Sequence, residues 1–387
     1  MPLECRRKVR VVRRALASRR SHLAIPVLVV VWAMAGCEDP ARRPMSSPPE
    51  SETSTTEASA TGVVEVPTTT MPASEPVVLA FAGDIHFEGG LRNVVRSDPA
   101  RLFAGVRLVF EDSDLVVANL ETAITERGTP ADKSFTFRAP PSALEALADA
   151  GVDVISMANN HALDYGTDGF ADTLAAIDES PVPVVGIGID EAAALRPALI
   201  DVKGRRIAVI AATDVMDANL IPSWTAVGAH PGVASAKRTD ELVAAVRSAR
   251  PEADTVVVFL HWGIETETCP SGRQKTLAER LVEAGADVVV GGHAHRVQAA
   301  GFLGGAAVGY GLGNFVFKGG SPAGRTSGIL RVTVDGREVS GIEWVPARID
   351  ATGIPTVLMG AEANVAADDW RGLRGCAGLA DVPTRGG

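Results

Sequence analysis

The stretch from Asp287 to His295 reads DVVVGGHAH, and its order of residue types decides the fold. Three consecutive valines are typical of a strand that is covered on both faces, as in a parallel sheet flanked by helices. The glycines Gly291 and Gly292 allow a sharp turn or a close approach of the backbone to a ligand. Residues i and i+2 of an extended chain point the same way, so His293 and His295 are expected to face one point beyond the strand.

Other apolar runs of the chain end in polar residues in the same manner. The runs at 76–82, 114–118, 152–157 and 255–260 are followed by Asp84 and His86, by Asn119 and Glu121, by Asn160 and His161, and by His261. Ligands bind at the carboxyl ends of strands in open α/β sheets. We therefore expect an α/β protein with layered, mostly parallel or mixed sheets flanked by helices, and a site at the strand carboxyl ends.

Between these runs the sequence predicts helices and hairpins. The predicted helices are Ser142–Ala150, with Ser142 as the cap, Thr167–Ile177, Thr239–Ala249 and Arg273–Ala284. Two hairpins are predicted, one around Lys203 to Arg205 and one around Asp335 and Gly336. Further strands are predicted at Ala306–Tyr310 and Asn314–Phe317. The alternation of helices and strands supports the α/β class.

The amino terminus has the composition of a targeting signal. Residues 1–37 contain eight basic residues and one acidic residue, a net charge of +7, and an apolar stretch at 23–35 precedes Cys37. This arrangement resembles a bacterial lipoprotein signal, with lipidation of Cys37 and anchoring outside the cytoplasm; an uncleaved helical anchor is the alternative. Residues 38–76 are rich in Ser, Thr and Pro and are expected to form a disordered tether.

Charge and length limit the remaining interpretation. The whole chain has a net charge of −10, so the residues after 37 carry −17. An acidic chain argues against nucleic-acid binding. We expect one domain at 77–350 and a weakly patterned tail at 351–387. The cysteines Cys269 and Cys376 could pair outside the cytoplasm, or remain free thiols.

The histidines indicate a metal site. Five of the seven, His86, His161, His261, His293 and His295, follow predicted strand ends. With nearby Asp, Glu and Asn oxygens they provide ligands for two divalent ions. Asn119 and Asn314 are expected to line the cleft, although Asn at such positions also forms turns.

These motifs together resemble a known family. Asn119-Leu120-Glu121-Thr122, Asn160-His161 with Asp164, His261-Trp262-Gly263, Gly292-His293-Ala294-His295 and Gly313-Asn314 resemble the motifs of the CapA-type capsule synthesis family, within the calcineurin-like metallophosphoesterases. The family is associated with poly-γ-glutamate capsules. The resemblance implies one ion on Asp84, His86 and His295, a second on Asn160, His261 and His293, and Glu121 as the bridge. It implies that His161, oriented by Asp164, is the general acid or hydrogen-bond donor.

The resemblance is compatible with three functions. The first is hydrolysis of a phosphoester at the cell envelope with two divalent ions, whether Mn, Fe, Zn or Mg. The second is a non-catalytic, membrane-tethered assembly or binding protein for an anionic capsule polymer. The third is amide hydrolysis of the γ-glutamyl polymer. Expected partners are the anionic polymer or phosphoester, the membrane through the lipid, and proteins of capsule synthesis or export.

Overall fold

A computed structural model describes residues 75–318 and 321–384. The predicted signal at 1–37 with Cys37 lies outside the described residues, as does nearly all of the predicted tether at 38–76. No helix among the described residues has the length and apolar character needed to cross a membrane.

Strands and helices are interspersed along the described residues. The strands are β1 Val77–Ile85, β2 Leu115–Leu120, β3 Ala123–Ile124, β4 Arg138–Ala139, β5 Val154–Ser156, β6 Val184–Val185, β7 Ile187–Gly188, β8 Ala198–Val202, β9 Arg205–Thr213, β10 Gly232–Val233, β11 Thr255–Trp262, β12 Val288–His293, β13 Ala300–Leu303, β14 Ala306–Gly309, β15 Thr326–Asp335, β16 Glu338–Ile349 and β17 Pro355–Val357. The helices are α1 Gly90–Ser97, α2 Pro99–Phe103, α3 Arg107–Glu111, α4 Ser142–Asp149, α5 Gly166–Asp178, α6 Glu191–Ala194, α7 Ile221–Trp224, α8 Thr239–Ala249, α9 Gly272–Ala284 and α10 Gly360–Gly372.

The longer strands form two mixed sheets. The first has seven strands in the order β17-β16-β15-β1-β2-β5-β6, and the second has six in the order β13-β14-β12-β11-β9-β8. Each sheet contains four parallel strands: β1, β2, β5 and β6 make up one side of the first sheet, and β9, β11, β12 and β14 form the centre of the second. The predicted α/β class with mixed sheets flanked by helices is confirmed, as are both hairpins, β8–β9 and β15–β16.

Alternating side chains place each sheet between two cores. In β1, Leu79 and Phe81 belong to the core that also holds Val257 of β11 and Val288 of β12, so the two sheets face each other there. The intervening Ala80 belongs to a core with helices α1 to α5. On the far side of the second sheet a third core includes residues of α8 and α9. The layers are therefore helices, sheet, sheet and helices, which explains why the strands are apolar on both faces.

The entry to β12 is defined by helix α9. Ser271 and Gln274 form a capping box at the start of this helix, and Gly285 ends it with a φ of 111°. The valine run follows almost at once, and all six residues of β12 are buried. The valine-rich stretch with which the sequence analysis began therefore forms an inner strand of the second sheet.

Two local predictions are wrong. Ser142 does not cap α4: it is the first helical residue, Pro141 holds the cap position, and no side chain caps this end. Proline fixes φ near the helical value, so the backbone turns before Ser142. Residues 314–317 do not form a regular strand, because Gly313 turns the chain with a φ of 70°. Asn314 instead forms an isolated parallel bridge to Asp84.

The segment after residue 350 is more regular than its sequence pattern suggested. It contains β17 and α10, and Trp370 of α10 stacks on Trp344 of β16 with ring centroids 5.6 Å apart. A disulfide joins Cys269 to Cys376, which settles the pairing that the sequence left open.

Candidate metal centre between the sheets

The candidate site lies where the carboxyl ends of the parallel strands of the two sheets meet. The residues from the first sheet and its loops are Asp84, Asn119, Glu121, Asn160, His161 and Asp164, and those from the second are His261, His293 and His295. Contacts between them cross from sheet to sheet. The backbone N–H of His293 donates to Asp84 Oδ2 at 2.9 Å, and His261 Nε2 lies 2.8 Å from Asn160 Oδ1. The structure therefore brings most of the predicted site residues together.

The His293 and His295 side chains meet for a different reason from the one expected. Their φ values are 86° and 50°, so the chain here is left-handed and not extended. Non-glycine residues rarely adopt this conformation, and it is often found at functional sites. The two rings are 5.8 Å apart. The prediction that the pair converges is confirmed, but the extended-chain argument for it is wrong.

The Asp84 carboxylate is fully engaged in hydrogen bonds. Its Oδ1 accepts from Asn119 Nδ2 at 2.8 Å, its Oδ2 accepts from the His293 backbone, and His295 Nδ1 lies 3.4 Å from Oδ2. Burial alone would raise the pKa of Asp84, but the hydrogen bond from His295 and the charges of His261 and His295 hold it well below its usual range. Asp84 is therefore ionised and anchored across both sheets.

The Glu121 carboxylate is buried and lacks a hydrogen bond. Neither oxygen receives one from the described residues, although Oε1 lies 3.3 Å from His261 Nε2 and 3.7 Å from His161 Nε2. His293 Nδ1 is likewise buried without a partner among these residues. A buried ionised group without a partner is costly, and a cation would remove the cost. These atoms fit a divalent metal.

Glu121, His293 and His295 form a group that could hold such an ion. One ligand atom from each lies within 4.8 Å of the others. Asn119, in contrast, is already occupied, because its amide donates to Asp84 and its oxygen accepts from Asn159 Nδ2 at 3.2 Å. Glu121 is therefore the carboxylate that remains open to a cation.

His295 carries a positive charge in this arrangement. Burial would lower its pKa, but the charge of Glu121, with the hydrogen bond and charge of Asp84, raises it to about 10. Its Nδ1 lies 2.8 Å from Asn314 Oδ1, which places Asn314 beside the site, as expected for a lining residue. A metal that bound His295 would have to displace a proton.

His86 stands apart from this group. Its Nδ1 lies 3.0 Å from the backbone nitrogen of Glu88 and its Nε2 lies 3.3 Å from that of Lys318, and because a neutral imidazole accepts at one nitrogen alone, one of these two contacts is a hydrogen bond. The ring stacks on Phe137 with centroids 4.6 Å apart and meets the edge of Phe317 at 4.0 Å. Burial lowers the pKa of His86 to about 3. The ring is thus uncharged and enclosed.

The predicted pair of His161 and Asp164 is present. His161 Nδ1 lies 2.6 Å from Asp164 Oδ2, which also accepts from the Phe137 backbone at 2.6 Å. Burial lowers the pKa of His161 to about 3 although Glu121 opposes the shift, and burial raises the pKa of Asp164 to about 7 against the charge of Lys133. The imidazole is therefore neutral near pH 7, which favours a role as a hydrogen-bond donor over that of a charged acid.

Lys133 is a central residue that the sequence did not reveal. Its side chain is 5% exposed, and its Nζ lies 3.0 Å from Asp164 Oδ1, 2.5 Å from the Asn160 carbonyl and 3.5 Å from Asp217 Oδ2. It comes from the irregular segment between β3 and β4, which has no apolar periodicity. No sequence signal distinguished this lysine from a solvated loop cation.

These features define an α/β protein with a candidate metal centre between two sheets, and comparison with known proteins gives the family. Residues 78–319 match the family described as "Bacterial capsule synthesis protein PGA_cap", so the chain belongs to this family. The CapA-type resemblance is confirmed.

The relatives carry consistent names. The "PGA biosynthesis protein CapA" of Bacillus subtilis (strain 168) is 31% identical over 76% of this chain and 77% of its own length. The "Capsule biosynthesis protein CapA" of Bacillus anthracis is 31% identical over 75% of this chain and 72% of its own. A solved structure titled as the 5'-nucleotidase from Candida albicans SC5314 aligns with a TM-score of 0.42 at 10% identity, over 77% of this chain and 58% of that one.

Proposed function

We propose that this chain is a metal-dependent phosphoester hydrolase of capsule-polymer biosynthesis. The observation that carries the hydrolase part is the buried Glu121 carboxylate, which has no hydrogen bond among the described residues and faces the imidazoles of His161 and His261. Such a carboxylate needs a cation as its partner. The capsule part rests on family membership and on the names that the relatives carry.

The roles of the residues follow from where their atoms lie. A divalent ion on Glu121, His293 and His295 would supply Lewis acidity toward a phosphoryl oxygen. His161 directs Nε2 toward Glu121 while Asp164 lies against Nδ1, so the neutral ring with its proton on Nε2 can donate a hydrogen bond to the leaving oxygen. The proposal keeps two ions in all, with Asp84, His86, Asn160 and His261 as the remaining ligands, and Mn, Fe, Zn or Mg as the metal.

Replacement of His161 by alanine is the test of catalysis. With the full chain loaded with Mn²⁺ and the chromogenic diester bis(p-nitrophenyl) phosphate, we expect kcat to fall by roughly 10² to 10³-fold, the usual cost of removing one hydrogen-bond donor to the developing charge. The matched control is His230→Ala, because His230 lies outside the site with Nδ1 3.2 Å from the Thr225 carbonyl. A chain that binds no stoichiometric metal, or a His161→Ala variant as active as the control, contradicts the proposal.

Further measurements separate the other functions suggested by the sequence. Cleavage of a γ-glutamyl peptide without cleavage of the diester would assign amide hydrolysis. Capsule formation and polymer binding that persist in His293→Ala plus His295→Ala would instead assign a binding or assembly role. Loss of both in this variant, with the fold retained by circular dichroism, supports the hydrolase.

We also propose that the chain is tethered outside the cytoplasm through a lipid on Cys37. The disulfide between Cys269 and Cys376 supports this location, because such bonds persist mainly in oxidising compartments. The Cys37→Ser variant is expected to leave the membrane fraction and to appear in the soluble fraction. Equal membrane association of the variant and the native chain in fractionated cells would contradict the tether.

A further inference from the structure

The candidate metal centre opens to solvent at His295. The side chain of His295 is 20% exposed, whereas the other residues of the centre are buried. The next residue, Arg296, is half-buried and donates from Nη1 to the His295 carbonyl at 2.8 Å. The Arg296 guanidinium therefore lies beside the mouth of the centre.

Arg325 approaches the same place from another segment of the chain. The carbonyl of the preceding residue, Gly324, accepts a hydrogen bond from Asn314 Nδ2 at 2.9 Å, and Asn314 Oδ1 lies 2.8 Å from His295 Nδ1. A Cβ added to Gly324 would lie 3.4 Å from Arg296 Nη1. The segments that carry the two arginines are thus in contact, next to the exposed imidazole.

Neither arginine pairs with a carboxylate of the described residues. The Arg296 side chain makes one hydrogen bond, to the His295 carbonyl, and the half-buried Arg325 side chain makes none with these residues. Most other arginines of this part of the chain do pair, as Arg348 does with Glu362 at 2.8 Å. A partly buried cation without an anionic partner is costly. The free guanidinium nitrogens are accessible to solvent, so a ligand can reach them.

The two arginines line adjoining parts of one groove. Arg296 lines a depression of about 290 Å³, and Arg325 lines one of about 690 Å³. Three residues line both depressions: Ala323, Thr326 and Arg348. The carboxylates along the groove, Asp350 and Asp369, pair with neither arginine, and Asp350 Oδ1 is held in its own turn by the Ile354 N–H at 3.0 Å. The groove therefore offers two open guanidinium groups beside the centre.

We propose that Arg296 and Arg325 form an anion subsite, which binds a second oxyanion of the substrate, a carboxylate or a phosphate, next to the phosphoester at the metals. This inference rests on the proposed function, because it concerns the substrate of the same centre. The planar guanidinium binds either oxyanion through two parallel hydrogen bonds. The subsite selects substrates with at least two anionic groups over simple phosphoesters such as bis(p-nitrophenyl) phosphate.

Titration calorimetry of the full chain as purified tests the subsite with two probes, a pentaglutamate peptide for carboxylates and methylenediphosphonate for phosphates. We expect Arg296→Gln and Arg325→Gln each to weaken the dissociation constant of the bound probe about tenfold or more, the effect of losing hydrogen bonds to a charged group. Added NaCl should weaken binding to the native chain. Binding of the peptide alone supports a carboxylate subsite, and binding of the diphosphonate alone supports a phosphate subsite.

The matched controls are Arg101→Gln and Arg247→Gln, which change exposed arginines on helices α2 and α8 and should leave the affinity unchanged. If thermal unfolding shows that Arg296→Gln is unfolded, Arg325→Gln carries the test, because its side chain supports no described residue. Neither probe has a phosphoester, so probe binding without diester hydrolysis would contradict the proposed function alone. A native chain that binds neither probe, or arginine variants that bind as tightly as the controls, would overturn the inference even if the diester is hydrolysed.

Discussion

Replacement of Lys133 by methionine is expected to lower the free energy of unfolding by about 3 to 5 kcal/mol, the usual cost of removing one partner from a buried ion pair. The lysine side chain is 5% exposed and its Nζ lies 3.0 Å from Asp164 Oδ1, whose own side chain is 0% exposed. Methionine fills the space of the lysine stem but leaves the Asp164 carboxylate without its cation. Denaturant unfolding of the two chains measures the difference.

A second replacement shows whether the cost comes from Asp164. In the Lys133→Met plus Asp164→Asn variant no buried carboxylate is left unpaired, so the coupling between the two changes should lie between about 0.5 and 3 kcal/mol in the stabilising direction. The matched control is Lys203→Met, since Lys203 pairs with Asp114 on the surface with 36% of its side chain exposed. Exposed pairs contribute about 0 to 1 kcal/mol. Equal losses in Lys133→Met and Lys203→Met would contradict this account of Lys133.

Replacement of Gly292 by alanine is expected to abolish metal binding. A Cβ at this position would lie 2.1 Å from Asp84 Oδ1, far inside the contact distance of two atoms. Asp84 would have to withdraw from the His293 backbone, to which it is bound at 2.9 Å. Overpacking of this kind costs about 1 to 3 kcal/mol in stability, and the displaced carboxylate removes an anchor of the centre.

Metal content and thermal unfolding check this prediction together. The control is Gly305→Ala, because a Cβ at Gly305 has no atom within 4 Å and this glycine has no left-handed φ. We expect the control to bind Mn²⁺ as the native chain does. A Gly292→Ala chain that retains full metal content would show that Asp84 can move without loss of the site.

The sequence predicted the sheets well because their strands are long apolar runs rich in valine, and both faces of these runs are covered. It also predicted most of the site, since polar residues at the ends of such runs must meet when the strands are parallel. Asp84, Glu121, His261, His293 and His295 were found in this way.

Other features depend on the tertiary fold and leave no local pattern. Lys133 lies in an irregular segment, and its burial results from contacts with Asp164 and Asp217, which are distant in the sequence. The left-handed backbone at His293 and His295 is rare for non-glycine residues, and nothing in the local sequence marks it. Helix α10 has Trp370 as its buried residue, so the apolar stripe that would identify it is missing.

The position of β1 has a consequence for how the protein is made. This strand carries Asp84 and lies between β2, which follows it closely, and β15, which begins only at Thr326. While the ribosome is still synthesising the intervening chain, one edge of β1 has no neighbour to pair with. An unpaired apolar strand edge promotes association between chains. Premature termination before Thr326 is therefore expected to give aggregated fragments, whereas termination after β16 leaves both edges of β1 covered.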